Sequence, residues 1–116
     1  MKLHLILKKI WWDWVEQGCK DVEYRTLNEY WRTRILDKKD KLKSVVFHFG
    51  YTGKTLEFPI NEIDVGSCPY RNWNGDFIRI HFENNRQMTR YNIDVKANPI
   101  ENDLPYGKGA ENENIR

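Results

Sequence analysis

The sequence predicts an α+β domain in which a small, strongly curved, mostly antiparallel sheet is capped by helices. Three observations point there. The apolar pattern runs at period two, then at helical period twice, then at period two again, which orders the chain as strand, helix, helix and four or so strands. The later strands are separated by short turns, as in a curved sheet or small open barrel. A length of 116 residues suits one hydrophobic core.

The first strand is Leu3 to Leu7, where the leucines share one side of an extended segment. From Lys8 to Gln17 the apolar residues Ile10, Trp11, Trp14 and Val15 take helical spacing, and Gly18 stands where a helix often ends. Trp12 points off that stripe. Cys19 to Arg25 reads as an extended connection. Thr26-Leu27-Asn28-Glu29 has the S/T-x-x-E form of a capping box, so a second helix begins there with Leu27, Tyr30, Trp31 and Ile35 on its apolar side. The charged run from Asp37 to Lys43 is nearly free of core residues and reads as a loop or fraying helix end.

Ser44 to Gly50 and Thr55 to about Ile60 form a hairpin about the turn residues Gly50 to Lys54. Pro59 places the return strand at an edge or ends it, with Ile63 and Val65 continuing it beyond a bulge. Gly66 to Gly75 is turn-rich. Phe77 to Glu83 alternates as a half-buried strand, and Gln87 to Val95 alternates weakly enough to be a further strand. From Lys96 the composition holds too few large apolar groups to offset ordering, so residues 1 to 95 are read as the domain and 96 to 116 as a mobile tail.

The charges are sorted. Residues 1 to 54 carry twelve Lys or Arg against seven Asp or Glu, net +5, and residues 55 to 116 carry seven against ten, net −3. Such sorting makes a basic face able to attract phosphates, or else a mixed solvated surface. Five Trp, six Tyr and five Phe supply flat side chains for a core or for base stacking. Two cysteines outside any CxxC pair fit a reducing compartment, and the five-residue apolar start is too short for a signal or a span. The expected location is cytoplasmic, with no membrane partner.

The segment Gly18-Cys19-Lys20-Asp21-Val22-Glu23-Tyr24-Arg25 has the form G-x-K-x-x-E-x-R, placed just after the first strand and helix. Together with Trp11 and Trp14 before it and Tyr30-Trp31 after it, this resembles the signature of ASCH domains, in particular a subgroup common among phage and prophage proteins. The resemblance covers about residues 2 to 83. It implies a PUA-like β-barrel of about five to six strands, mostly antiparallel, flanked by two or more helices, with a cleft between helix and barrel that binds RNA or a modified nucleotide.

In that reading Gly18 leaves room for a ligand, Lys20 meets phosphate or an oxyanion, Glu23 accepts from an exocyclic base amine, and Arg25 offers a planar fork. Glu23 and Arg25, two apart in an extended segment, project to the same side and either face the ligand or pair with each other. Trp12, Tyr24 and Trp73 are the stacking candidates, Trp73 being expected exposed in its polar Asn-Trp-Asn-Gly loop, while Trp11, Trp14 and Trp31 are expected in the core.

Some ASCH proteins are amidohydrolases acting on N4-acetylcytidine. The resemblance carries over Lys20, but Glu23 stands where those enzymes have a threonine nucleophile, so Lys20 and Glu23 would act as a general-base pair on water if the chain were such an enzyme. His4, His48 and His81 show no ligand spacing and read as packed or surface histidines, so neither a metal nor a cofactor is expected. A protein-interaction module is the third reading.

Overall fold

Alternating leucines make the first strand, β1 (Lys2–Leu7), with Leu3, Leu5 and Leu7 buried and Lys2 and His4 exposed. The computed structural model describes residues 1–86 of the chain, so the expected strand from Gln87 to Val95 and the tail from Lys96 lie outside the described residues. After β1 come α1 (Lys9–Glu16), β2 (Val22–Thr26), α2 (Glu29–Arg34), a 3-10 turn (Leu36–Lys38), β3 (Ser44–Phe49), β4 (Thr55–Ser67) and β5 (Asp76–Phe82). Among the described residues this is an α+β fold of five strands and two short helices.

The strands form one sheet in the order β1-β3-β4-β5-β2. β1 pairs with β3 in parallel, because α1, β2 and α2 intervene and return the chain to its starting side; the other neighbours are antiparallel. β4 does double duty. Its first half pairs with β3 and its second half with β5, and a register shift between Ile60 and Glu62 bends it between the two, as the bulge beyond Pro59 anticipated. The sheet thereby curls into a half-barrel whose two edges, β1 and β2, approach each other, and Arg25 Nη2 on β2 donates to the carbonyl oxygen of Ile6 on β1 at 3.3 Å.

The interior holds Leu5, Val45, Phe47, Phe58, Ile78, Ile80 and Phe82, with Phe47, Phe58 and Phe82 in mutual ring contact. Three expectations need correction. The segment expected as a plain connection contains a strand, β2, paired with β5 from Val22↔His81 to Thr26↔Phe77. The cap of α2 is Asn28, whose side chain accepts from Trp31 N at 2.9 Å; Thr26 ends β2 and its hydroxyl is buried without a hydrogen-bond partner among the described residues. Trp73, expected exposed in the turn-rich stretch from Gly66 to Gly75, folds back into the core with Tyr70, while Pro69, Arg71, Asn72, Asn74 and Gly75 stay exposed.

Candidate functional site

The site begins at the end of α1. Gly18 N donates to Val15 O and Cys19 N to Trp14 O, both at 3.0 Å, and Gly18 sits at φ 78°: this is a Schellman stop, which needs the left-handed conformation that glycine adopts without strain. The chain leaves the helix sharply and places Lys20 beneath it. Asn84 secures the exit, its amide donating to Val15 O at 2.9 Å and Lys20 O at 2.8 Å.

Lys20, Glu23 and Arg25 converge and are buried, at 4%, 1% and 2% exposure. Arg25 Nε donates to Glu23 Oε2 at 2.9 Å while Nη2 stands 2.8 Å from the same oxygen. Lys20 Nζ lies 2.7 Å from Glu23 Oε1, an ion pair by distance whose angle falls short of a directed hydrogen bond. The cations also rest on aromatic faces, Lys20 4.4 Å from the Trp11 ring and Arg25 4.9 Å from the Trp31 ring, which replaces part of the lost hydration. Burial alone favours the neutral acid at Glu23, but the charges of Lys20 and Arg25, together with the Arg25 hydrogen bond, outweigh it and hold the carboxyl below its usual range. Of the two alternatives left by the sequence, mutual pairing is what the side chains do.

Two hollows flank this cluster. On the Lys20 side a small one of about 120 Å³ is walled by Trp14, Tyr24 and Tyr70, with Lys20 and Asp21 in its lining. Burial, with the neighbouring Tyr70 and Cys68, pushes the Tyr24 phenol above its ordinary value, so it remains a hydroxyl. On the Arg25 side a cleft of about 310 Å³ runs between β1 and α2. Its polar lining is basic, with Lys2, His4, Arg34 and Lys38, and none of its described lining residues is acidic, although Lys2 also pairs with Glu57 at 3.0 Å on the strand face. Arg34 Cζ lies over Tyr30, 3.5 Å from the ring centre. Trp31 lines the cleft, and its buried indole N–H has no hydrogen-bond partner among the described residues.

The aromatic expectations are largely redistributed. Trp73, expected exposed, is 4% exposed, packed edge-on to Trp11 and Tyr70 and against Phe77. Trp12 is equally buried and stacks on Phe49 at 5.3 Å. Trp14, expected in the core, is half-buried and lines the small hollow. Tyr24 lines the same hollow. Polar neighbours in a loop do not decide the fate of a Trp; backbone turning at Asn72 (φ 67°) and Gly75 (φ 83°) accompanies its return to the core.

Sequence reasoning missed Tyr70, Arg34, Lys2 and Asn84. Arg34 and Lys2 carried only the weak signal of the basic first half, while Asn84 reaches Lys20 across 64 residues and Tyr70 meets Trp11, Trp14 and Tyr24 from far along the chain, so no local spacing marks either. Set beside known proteins, the chain matches no family model, no curated protein and no solved structure. No helix among the described residues is long and apolar enough to cross a membrane.

Proposed function

We propose that this domain binds RNA or a modified nucleotide in the cleft between β1 and α2, in the manner expected of a PUA-like fold of ASCH type. The observation that carries this is the lining of that cleft: Lys2, Arg34 and Lys38 around an opening with no acidic residue among its described lining, with Trp31 in its wall. A ligand phosphate answers the cations. At about 310 Å³ the cleft is at the small end of ligand sites, which run from roughly 300 to 1,000 Å³, so it suits a single nucleotide of a longer strand.

The Gly18 to Arg25 segment supports this cleft from behind. Arg25 touches both of its walls, stacking against Trp31 and donating to Ile6 O, and Glu23 and Lys20 lock Arg25 in place. The amidohydrolase reading has less to rest on, because both Glu23 oxygens face cations, the carboxylate is buried, and its lowered proton affinity makes it a weaker base toward water.

The test is titration of a fluorescently labelled single-stranded RNA at several salt concentrations. Three phosphate contacts predict that the logarithm of affinity falls against the logarithm of salt with a slope of about −2, and Arg34→Ala or Lys38→Ala each flattens it by about 0.7. Salt-independent binding, or variants indistinguishable from the parent, would refute the assignment.

A further inference from the structure

We propose that His4 and His48 form a binding site for a borderline transition-metal cation such as Zn²⁺, Ni²⁺ or Cu²⁺. The two residues lie on the neighbouring parallel strands β1 and β3, where the register sets His4 beside Val46 and Ile6 beside His48, so the imidazoles meet diagonally on one face. His4 Nδ1 is 2.9 Å from His48 Nε2, and the ring centres are 5.2 Å apart. Two nitrogens aimed at one point share a single hydrogen. When that hydrogen moves to the other nitrogen of its own ring, both lone pairs face the same space and no net proton is released.

The spacing suits a metal. Zinc–nitrogen bonds of about 2.0 to 2.1 Å in tetrahedral geometry place two nitrogens about 3.3 Å apart, so the pair opens by a few tenths of an ångström. The remaining positions face an open groove of about 500 Å³ lined by Ile6, Gly50, Tyr51 and Gly53 as well as the two histidines, which leaves room for water ligands. Glu57 lies opposite Val46 on β4, and Val46 in turn lies beside His4, so the carboxylate stands in the same cross-strand row as that imidazole. It now holds Lys2 Nζ and Ser44 Oγ at 3.0 Å each, an exposed pairing weak enough to yield a carboxylate oxygen to a cation. Neutral imidazoles select borderline metals over Mg²⁺ or Ca²⁺.

A second group of donors, Glu62, Asp64 and His81, also lies within 4.8 Å. It is the poorer site, because both Asp64 oxygens already accept from Arg79, at 2.8 and 2.6 Å. That guanidinium rests on Gly66, where a Cβ would come within 2.5 Å of it, and its fixed charge repels a dication.

The experiment is calorimetric titration of the untagged full chain, free of any oligohistidine tag, with Zn²⁺ and Ni²⁺ and with Mg²⁺ as control. One cation per chain is expected. His4→Ala and His48→Ala each lower affinity by about tenfold or more, since even outer-shell changes cost that much, whereas His81→Ala leaves it unchanged. Circular dichroism confirms that the surface variants fold, and Ni²⁺ selectively broadens the His4 and His48 ring resonances in NMR spectra. Absence of Zn²⁺ and Ni²⁺ uptake, uptake that survives the double variant, or uptake lost only with His81→Ala overturns the proposal.

Discussion

At Glu23 one buried carboxylate holds two cations, and removing it leaves Lys20 and Arg25 as buried charges without an anion between them. Breaking a buried pair in this way costs about 3 to 5 kcal/mol, so Glu23→Gln should lower the denaturant midpoint by an amount that a urea titration resolves easily. The same group makes stability depend on pH. Its carboxyl titrates lower in the folded chain than its usual 4.5, so the stabilisation is whole above that value and is lost as pH falls through the folded-state value. Melting temperatures of Glu23→Gln should therefore fall less steeply than those of the parent on acidification below that point. Asp64 belongs to the same acid range, held at about 2 chiefly by the Arg79 hydrogen bonds, and its own slope persists in that variant.

At the scale of the element, α2 shows why a capping motif read from sequence needs a partner check. Six residues are too short to be helical unaided, so the cap and the burial of Trp31 matter. Asn28→Ala removes the acceptor of the Trp31 N–H and should cost about 1 kcal/mol. Thr26→Val removes a buried hydroxyl that has no hydrogen-bond partner among the described residues and keeps the shape of the side chain, so it should be neutral or slightly stabilising. Paired denaturation curves decide between the two cap assignments, because a Thr26 cap predicts the opposite ranking. The bulge in β4 is the other element whose role is legible: Pro59 faces Ser44 at the end of the β3 pairing, and the shift just after it lets β4 turn toward β5.

Over the whole molecule, the half-barrel is completed by parts distant in sequence. The loop from 68 to 75 packs Tyr70 and Trp73 onto Trp11 of α1 and Phe77 of β5. A Trp in a surface loop should tolerate truncation within about 0.5 kcal/mol, whereas Trp73→Ala in this packing should cost about 3 to 5 kcal/mol by calorimetry or denaturation. The seam between the sheet edges is bridged by Arg25 reaching Ile6 O, so the polar cluster that supports the cleft also helps hold the half-barrel closed. The shape of the cleft and the stability of the fold are thus tied to the same three side chains.

Local pattern was enough to reveal the α+β order, the first strand from its leucines, the helix stop at Gly18, the bulge beyond Pro59 and the convergence of Glu23 with Arg25, because each depends on periodicity or on the backbone freedom of a few neighbouring residues. Only the folded chain decided that Trp73 turns inward, that Asn28 and not Thr26 caps α2, that Arg34 and Lys2 share a cleft, and that His4 meets His48. The cap is a local choice between two candidates two residues apart, but the other outcomes turn on which parts of the chain become neighbours and in what register. Pairings across 44 residues and more are set by the closure of one common core, and no local spacing in the chain encodes them.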